Sequence, residues 1–267
     1  MIFEPLRKLF RAPSQAPRGA SVPPGERYYL VGDIHGRLDL FEAIIDAIEE
    51  DNARAGRAVT SVILLGDLVD RGADSAGVLR RAREWQTRRK VRILAGNHEE
   101  MFLDSFNDIE VLRHFLKHGG RETILSYGIA REEFNRLTLQ ELFDELPKIV
   151  PQADRDYIAA FEEMIVAGDY LFVHAGIDPS VPLSEQQRKD MLWIRDRFLK
   201  HKGPFEKVVI HGHTIFDQVM DCGHRIGIDT GAFRTGVLSA LVLEGVTRRS
   251  IQAVETDGKI EIVEGDF

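Results

Sequence analysis

Up to about residue 210, the hydrophobic positions of the chain alternate between short continuous runs and positions at helical spacing. Five buried strands are predicted, at residues 27–31, 61–65, 91–94, 170–173 and 208–210. Apolar residues recur every three or four positions over residues 38–48 and again over 78–85, which predicts two amphipathic helices. This alternation is typical of β-α units that build a parallel sheet.

The C-terminal part of the chain has a different pattern. Strand-like runs at residues 236–243, 250–254 and 259–263 follow one another without a helix between them. The last two flank Asp257-Gly258, a pair that favours a tight hairpin turn. The predicted fold class is therefore α/β (α+β), a mixed β-sandwich of two sheets flanked by helices.

Three regions are predicted from composition and periodicity. Residues 1–26, rich in Pro, Ser, Gly and Arg after the first ten, predict a flexible tail, and residues 27–267 predict one catalytic domain. Residues 99–168 are mostly helical in pattern and predict an insertion over one end of the sheets. Phe3, Leu6, Leu9 and Phe10 predict a short helix that is docked or loose, with a weak membrane or partner anchor as the alternative.

The composition excludes several classes of protein. The chain has 267 residues, a formal net charge of −8 and a single cysteine. One cysteine cannot build a disulfide framework or a cysteine zinc cluster, so we expect a cytoplasmic, reducing environment. No apolar run approaches the length that spans a bilayer, and the acidic balance argues against a nucleic-acid partner.

Polar clusters follow each of the five predicted strands. They are Gly32-Asp33-Ile34-His35-Gly36, Gly66-Asp67-Leu68-Val69-Asp70-Arg71-Gly72, Gly96-Asn97-His98-Glu99, His174-Ala175-Gly176 and His211-Gly212-His213-Thr214. Ligands of open α/β sheets bind at the carboxyl ends of strands, so we expect these clusters to converge.

Carboxylate, imidazole and amide ligands together suit divalent cations such as Mn²⁺, Fe²⁺ or Zn²⁺. Their number fits two ions, with Asp67 as the natural bridge. Two adjacent cations would supply a bridging hydroxide that attacks phosphorus, so we predict a phosphoric ester hydrolase. His98, supported by Asp70, is the predicted general acid, and Arg71 is predicted to bind the phosphate.

These clusters resemble the metal-dependent phosphoprotein phosphatases, which belong to the calcineurin-like metallophosphoesterases. The order and spacing agree from Tyr28 to about Gly231. The resemblance implies that one cation is held by Asp33, His35 and Asp67 and the other by Asp67, Asn97, His174 and His213. It also implies phosphate contacts from Asn97 and from an arginine after a tryptophan.

The segment Met191-Leu192-Trp193-Ile194-Arg195 resembles that tryptophan-arginine segment, so Arg195 is the predicted second phosphate ligand. The nearby Arg197 is the competing choice and is interpreted as a surface residue. His211 is left open between a supporting role and a strand-end residue.

Two substrate classes follow from the resemblance. A serine/threonine protein phosphatase of the compact bacterial and phage type is the first choice, since Leu192-Trp193-Ile194-Arg195 and His118-Gly119-Gly120 look like that group. A symmetrical bis(5′-nucleosyl)-tetraphosphatase is the alternative, and an inactive metal-dependent binding module is a remote third. The expected cofactors are two divalent ions, Mn²⁺ first and Fe²⁺ or Zn²⁺ as alternatives. The expected partner is a phosphoprotein or a small phosphorylated molecule.

Overall fold

The computed structural model describes residues 19–266, so the prediction for the N-terminal apolar residues lies outside the described part of the chain. The strands are β1 (Glu26–Val31), β2 (Val59–Leu64), β3 (Val91–Ile93), β4 (Met164–Ala167), β5 (Tyr170–Val173), β6 (Val208–His211), β7 (Met220–Asp221), β8 (Arg225–Gly227), β9 (Val237–Glu244), β10 (Thr247–Thr256) and β11 (Lys259–Asp266).

The α-helices surround these strands. They are α1 (Leu38–Arg54), α2 (Ser75–Gln86), α3 (Asn97–Asp104), α4 (Ile109–Phe115), α5 (Arg121–Ser126), α6 (Arg131–Phe134), α7 (Leu139–Ile149), α8 (Gln152–Ala159), α9 (Arg188–Trp193), α10 (Asp196–Leu199) and α11 (Ala232–Thr235). A π-helical turn at Leu116–Gly120 joins α4 to α5, and a 3₁₀ turn lies at Leu183–Glu185. Between residues 19 and 266, none of the helices is long and apolar enough to cross a membrane.

Two mixed sheets form the centre of the fold. The first has the strand order β11-β10-β9-β1-β2-β3, and the second has the order β4-β5-β6-β8-β7. In the first sheet β1, β2 and β3 are parallel, whereas β9, β10 and β11 are antiparallel neighbours. In the second sheet β5, β6 and β8 are parallel, with antiparallel edges. The two-sheet α/β fold predicted from the sequence is confirmed.

The hydrophobic residues divide into layers because alternate side chains of a strand point to opposite faces. In β1, Leu30 packs between the two sheets with Phe172. Tyr29 and Val31 point to the opposite face, where they belong to the cluster that includes the buried residues of α1. The outer face of the second sheet is covered by a third cluster that includes Phe198. The molecule is therefore built as helices, sheet, sheet and helices, and the parallel strand ends of both sheets remain free to carry loops.

The strands predicted from hydrophobic runs are all present, and their ends differ by a few residues at most. The predicted hairpin turn is also confirmed, since Asp257 and Gly258 have φ angles of 51° and 75°, as a tight hairpin turn requires. Three strands were missed, namely β4, β7 and β8. The strand β4 lies inside the range predicted as the helical insertion, so its helices end before residue 164.

The tail predicted for residues 1–26 needs a correction in its described part. Ala20 and Val22 are each 2% exposed and belong to the cluster between the sheets. The Tyr170 hydroxyl donates to the Ala20 carbonyl at 3.0 Å, and the Ser21 N–H donates to Asp169. These contacts fix residues 20–22 on the body, and proline and serine content alone could not reveal them.

Candidate active site

All of the predicted site residues except Arg195, which lies between α9 and α10, are found just beyond the carboxyl ends of parallel strands. Asp33 and His35 follow β1, Asp67 follows β2, Asn97 and His98 follow β3, His174 follows β5, and His213 follows β6. Each of these seven side chains is buried. The strand ends of both sheets thus bring carboxylates, imidazoles and an amide into one region.

The loops that carry these residues have an unusual backbone. Left-handed conformations occur at His35 (φ 46°), Asp67 (50°), Asp70 (75°), Arg71 (69°) and His213 (62°). A residue with a side chain pays about 1–3 kcal/mol for such a conformation, so the surrounding contacts must enforce it. Strained backbone concentrated in the strand-end loops is typical of a functional site.

Asp67 lies at the centre of two groups of ligand atoms. Its carboxylate oxygens lie 3.5 Å from His35 Nε2 and 3.4 Å from His174 Nε2. The ligand atoms of His35, Asp67 and His98 fall within 4.8 Å of one another, and so do those of Asp67, His174 and His213. One carboxylate therefore faces both groups, as a bridging ligand must.

The imidazoles are oriented by their Nδ1 atoms. His35 Nδ1 donates to the Val69 carbonyl at 2.8 Å, and His174 Nδ1 donates to the Leu65 carbonyl at 2.7 Å. Because a carbonyl can only accept, each ring presents the lone pair of Nε2 to Asp67. Burial lowers the pKa of both histidines below the ordinary value, which keeps them in the neutral form that binds metals.

Three observations fit a pair of divalent cations. His213 Nε2 is buried and has no hydrogen-bond partner. Asn97 Oδ1 faces His174 Nε2 at 3.1 Å, and with Nδ1 protonated neither atom supplies a proton to the other. Burial, with the nearby charges of Asp229 and Asp67, raises the pKa of Asp33 well above its ordinary value. A cation would satisfy the orphaned nitrogen and the two facing lone pairs and would stabilise the clustered carboxylates.

Asp33 occupies a different position from its neighbours. Its carboxylate accepts the backbone N–H of His213 at 3.0 Å, and it lies beside the buried Asp229. In the ligand-atom group around His35, the third member is His98. The structure therefore brings Asp33 into the carboxylate cluster, but the group of ligand atoms around His35 and Asp67 contains His98 where the resemblance implied Asp33.

Two glycines allow the loops to come this close. A β-carbon at Gly96 would lie 2.2 Å from Asp67 Oδ1, and one at Gly212 would lie 2.0 Å from Asp33 Oδ1. Neither position can accept a side chain without displacing a carboxylate. Glycine at these positions is thus required by the approach of the backbone to the site.

His98 and Asp70 form a buried pair. His98 Nδ1 lies 2.6 Å from Asp70 Oδ2. Burial lowers the pKa of His98, but the charges of Asp67 and Asp70 outweigh it and raise the pKa above the ordinary value. Burial also raises the pKa of Asp70, so the pair holds its proton tightly. Unlike the neutral His35 and His174, this imidazole is suited to donating a proton.

The two predicted phosphate arginines lie at opposite sides of the centre. Arg71 places Nη1 2.7 Å from His35 Nε2 and Nη2 2.8 Å from His98 Nε2. Arg195 is exposed, and its Nη1 lies 3.4 Å from the His213 carbonyl. Arg197 pairs instead with Asp178 and Asp190, away from the ligand groups, which agrees with its interpretation as a surface residue.

His211 faces away from the ligand groups. It is fully buried, and its ring packs edge-on against Phe198 at 5.0 Å between ring centres. Arg225 Nη1 lies 3.4 Å from His211 Nε2, and the ring Nδ1 lies 3.0 Å from the Gly212 carbonyl. His211 therefore supports the loop before His213 and offers neither nitrogen to the centre.

Two residues in the site had no role assigned from the sequence. The Phe233 ring lies 4.6 Å from the Arg71 guanidinium carbon and contacts His35 edge-on. Glu99 accepts backbone N–H groups of Asp67 and Gly96 through Oε2, and of Leu68 and Val69 through Oε1. Glu99 thereby ties the loops after β2 and β3 together. Its place in the Gly96-Asn97-His98-Glu99 cluster was the only sequence signal for this role.

Glu99→Gln is expected to destabilise the fold by about 1–3 kcal/mol, because an amide N–H₂ would face backbone donors in a buried place. Chemical denaturation of the purified variant measures this loss. Glu110→Gln is the matched control, since Glu110 is an exposed surface residue whose loss should change stability by less than about 0.5 kcal/mol. Equal stability of the two variants would contradict the role of Glu99.

Comparisons with known proteins identify the family of this chain. The family model for calcineurin-like phosphoesterase matches residues 26–232. Serine/threonine-protein phosphatase 2 of Escherichia coli (strain K12) is 29% identical over 220 residues, which cover 79% of this chain and 90% of that protein. A symmetrical bis(5′-nucleosyl)-tetraphosphatase of Nitrosospira multiformis is also 29% identical, over 162 residues that cover 60% of this chain but 46% of that protein.

Solved structures share the fold. The cold-active protein-tyrosine phosphatase of a psychrophilic Shewanella species superposes with a TM-score of 0.56 at 18% identity, covering 91% of this chain and 83% of that one. Identity at this level speaks for the fold alone. The family match, in contrast, extends over most of the sequence and contains every strand-end cluster described above. The chain therefore belongs to the calcineurin-like phosphoesterase family and is a metal-dependent phosphatase.

Proposed function

We propose that this protein is a serine/threonine protein phosphatase that works with two divalent cations, with Mn²⁺ as the first choice of ion. The observation that carries the proposal is the position of Asp67, whose two oxygens face separate groups of buried ligand atoms. A proton-holding pair, His98 and Asp70, lies beside it, together with the guanidinium of Arg71. This combination suits hydrolysis of a phosphoric ester.

Six residues would hold the cations in this proposal, and Asp67 would be shared between the two sites. Asp33 and His35 would hold one cation, and Asn97, His174 and His213 would hold the other, as the sequence resemblance implies. The grouping of His174 and His213 with Asp67 supports the second site, and Asp33 accepts the backbone N–H of His213. Divalent cations bound there would lower the pKa of water, so that hydroxide is available at neutral pH. They would also neutralise charge on a phosphoryl group. Asn97, which points its amide oxygen at His174 Nε2, is also within the region predicted to contact the phosphate.

His98 delivers the proton that the leaving oxygen needs. Asp70 fixes the ring through Nδ1, so Nε2 is the nitrogen that points into the site. Arg71 donates to the unprotonated Nε2 atoms of both His35 and His98, and it has to turn toward a phosphate before His98 can carry a second proton. Once Arg71 has turned to the phosphate, Nε2 can take up a proton from solvent and later give it to the leaving oxygen.

Arg71 and Arg195 are positioned to hold the phosphate from two directions. A guanidinium can donate two parallel hydrogen bonds to phosphate oxygens, which fixes their orientation. Phe233 packs on the Arg71 guanidinium and restricts where that group can turn. Arg195 is exposed and lies beside the His213 backbone, so it can reach a phosphate that enters from solvent.

The choice of a phosphoprotein substrate has two supports. The chain covers 90% of the similar Escherichia coli protein phosphatase but 46% of the similar symmetrical tetraphosphatase. In addition, a cavity of about 400 Å³ is lined by Glu100, Asp104, Glu110 and Trp193, two residues before Arg195 in sequence. Glu100 and Glu110 are paired with Arg188 and Arg113, so repulsion of a polyanion such as a dinucleoside tetraphosphate would come mainly from Asp104.

The symmetrical bis(5′-nucleosyl)-tetraphosphatase activity is the second candidate, because relatives of similar identity carry that name. An inactive binding module is the remote third, and the intact pair of His98 and Asp70 argues against it, since binding alone has no use for a proton donor. We also propose that the protein acts in the cytoplasm, because its sequence has one cysteine and so suits a reducing compartment.

Side-by-side kinetics with supplied Mn²⁺ test the substrate. We expect the kcat/KM for a phosphoserine peptide to exceed that for diadenosine tetraphosphate by roughly tenfold or more, which corresponds to about 1.4 kcal/mol of transition-state stabilisation. The Arg195→Lys variant, measured on both substrates, tests whether the same phosphate site serves each. Faster cleavage of the tetraphosphate would establish the second candidate. Absence of turnover on either substrate and on an aryl phosphate would leave the binding module.

A further inference from the structure

The helical insertion contacts the proton-donating pair through the buried hydroxyl of Thr123. Thr123, on α5, donates to Asp70 Oδ1 at 2.6 Å and accepts the Asp70 backbone N–H at 2.8 Å. The residue is fully buried. Since Asp70 Oδ2 is held by His98, the two oxygens of this carboxylate have separate partners from different parts of the chain.

The hydrogen-bond directions around Thr123 form one consistent chain. A hydroxyl has one proton and two lone pairs. Thr123 uses its proton on Asp70, and Ser75 Oγ, at 2.9 Å, is left to donate to Thr123. Ser75 also accepts the Asp70 N–H at 2.9 Å. Ser75 therefore donates to Thr123 and Thr123 donates to Asp70 Oδ1, while His98 Nδ1 donates to Asp70 Oδ2 from the other side.

The same segment of the insertion holds the neighbouring phosphate arginine. The Arg71 backbone N–H donates to the Gly119 carbonyl at 3.1 Å, in the π-helical turn that leads into α5. A β-carbon at Gly119 would lie 2.6 Å from Arg71 N, so the two backbone segments approach too closely to leave room for a side chain at residue 119. Asp70 and Arg71 both have left-handed backbone and need such external contacts to keep it.

We propose that Thr123 is a positioning residue for proton donation by His98, and that the insertion sets the geometry of the acid and of Arg71 together. This inference rests on the proposed function, because it requires that His98 protonate a leaving oxygen. Thr123 touches neither the ligand groups nor Arg195 in the contacts described above. Its effect on the reaction therefore passes through the orientation of the Asp70 carboxylate.

The test uses Thr123→Val, which keeps the shape and removes the hydroxyl, and Thr123→Ser, which restores it. We expect Thr123→Val to lower kcat on a phosphoserine peptide roughly 10-fold, and on p-nitrophenyl phosphate less than about twofold, because nitrophenolate leaves without a proton. Thr123→Ser should recover most of the rate. Bound metal, measured by elemental analysis, should equal that of the wild type in both variants.

Ser126→Ala is the matched control. Ser126 lies on the same helix and accepts the Ala76 N–H at 3.0 Å, so its loss also weakens the junction between α5 and α2 without reaching Asp70. We expect little change on either substrate. A second measurement combines Thr123→Val with His98→Asn, and the double variant should be no slower than His98→Asn alone, since both act on one proton transfer.

Three results would overturn the inference: an equal loss on both substrates, a loss for Ser126→Ala as large as that for Thr123→Val, or additive losses in the double variant. If Thr123→Val does not fold, Ser75→Ala, which removes the hydrogen-bond donor to Thr123, carries the same comparison of leaving groups. Failure of the proposed function is distinguishable, because the wild type would then fail to hydrolyse the phosphoserine peptide or would cleave diadenosine tetraphosphate faster.

Discussion

The Asp67→Asn variant is expected to lose its bound cations and nearly all of its hydrolytic activity. Asp67 faces His35 with one oxygen and His174 with the other, so a neutral amide removes charge from both sites at once. Charge stabilisation by bound metals is worth several kcal/mol, and about 1.4 kcal/mol is a factor of ten in rate. We therefore expect kcat on an aryl phosphate to fall by at least about 10³-fold.

Asparagine is the informative substitution because it keeps the shape of the side chain. Asp67 Oδ1 accepts the backbone N–H of His98 at 3.0 Å, and the amide oxygen of asparagine can do the same. The fold should therefore persist, which circular dichroism can verify. Elemental analysis and calorimetric titration with Mn²⁺ measure the cations. Asp46→Asn, an exposed carboxylate on α1, is the control. A retained pair of cations with normal rates would contradict a bridging role for Asp67.

Much of the fold could be predicted from the sequence alone, because a long periodic pattern of hydrophobic residues can be recognised without knowledge of the tertiary structure. The helix α1 was predicted from residues that recur on one face, and these residues are the ones buried against the first sheet. The strand β8 was missed because it has three residues, among them a charged Arg225 and Gly227. Its strand character comes from pairing with β6, which a sequence window of this length cannot reveal.

The site was predicted from the rule that parallel strands end at the same edge of a sheet. That rule applies however far apart in sequence the strands are. The roles of Glu99 and Thr123 depend instead on contacts between segments whose relative position only the folded chain sets. Thr123 reaches Asp70 across 53 residues of sequence, and its own surroundings on α5 have no pattern typical of a catalytic residue. Phe233 likewise meets Arg71 only through the fold.

The His98→Asn variant is expected to keep both cations and to slow turnover of a phosphoserine peptide by about 10²- to 10⁴-fold, the usual contribution of a general acid. The reason is the missing proton at the leaving oxygen, since asparagine has no group that titrates near neutral pH. The loss should shrink on p-nitrophenyl phosphate, whose leaving group needs no proton. His201→Asn, a histidine that packs on Phe205 away from the ligand groups, is the control.

The cation content of this variant decides between two roles that the geometry places side by side. His98 shares a group of ligand atoms with His35 and Asp67, so the imidazole is close enough to be considered as a ligand. Yet Nδ1 is bound to Asp70 and Nε2 accepts from Arg71, so both ring nitrogens already have partners. The charges of Asp67 and Asp70 also raise the pKa of His98, which favours uptake of a second proton once Arg71 has turned away. Loss of a cation on substitution would make His98 a ligand. Retention of both, with a loss that depends on the leaving group, would make it the acid.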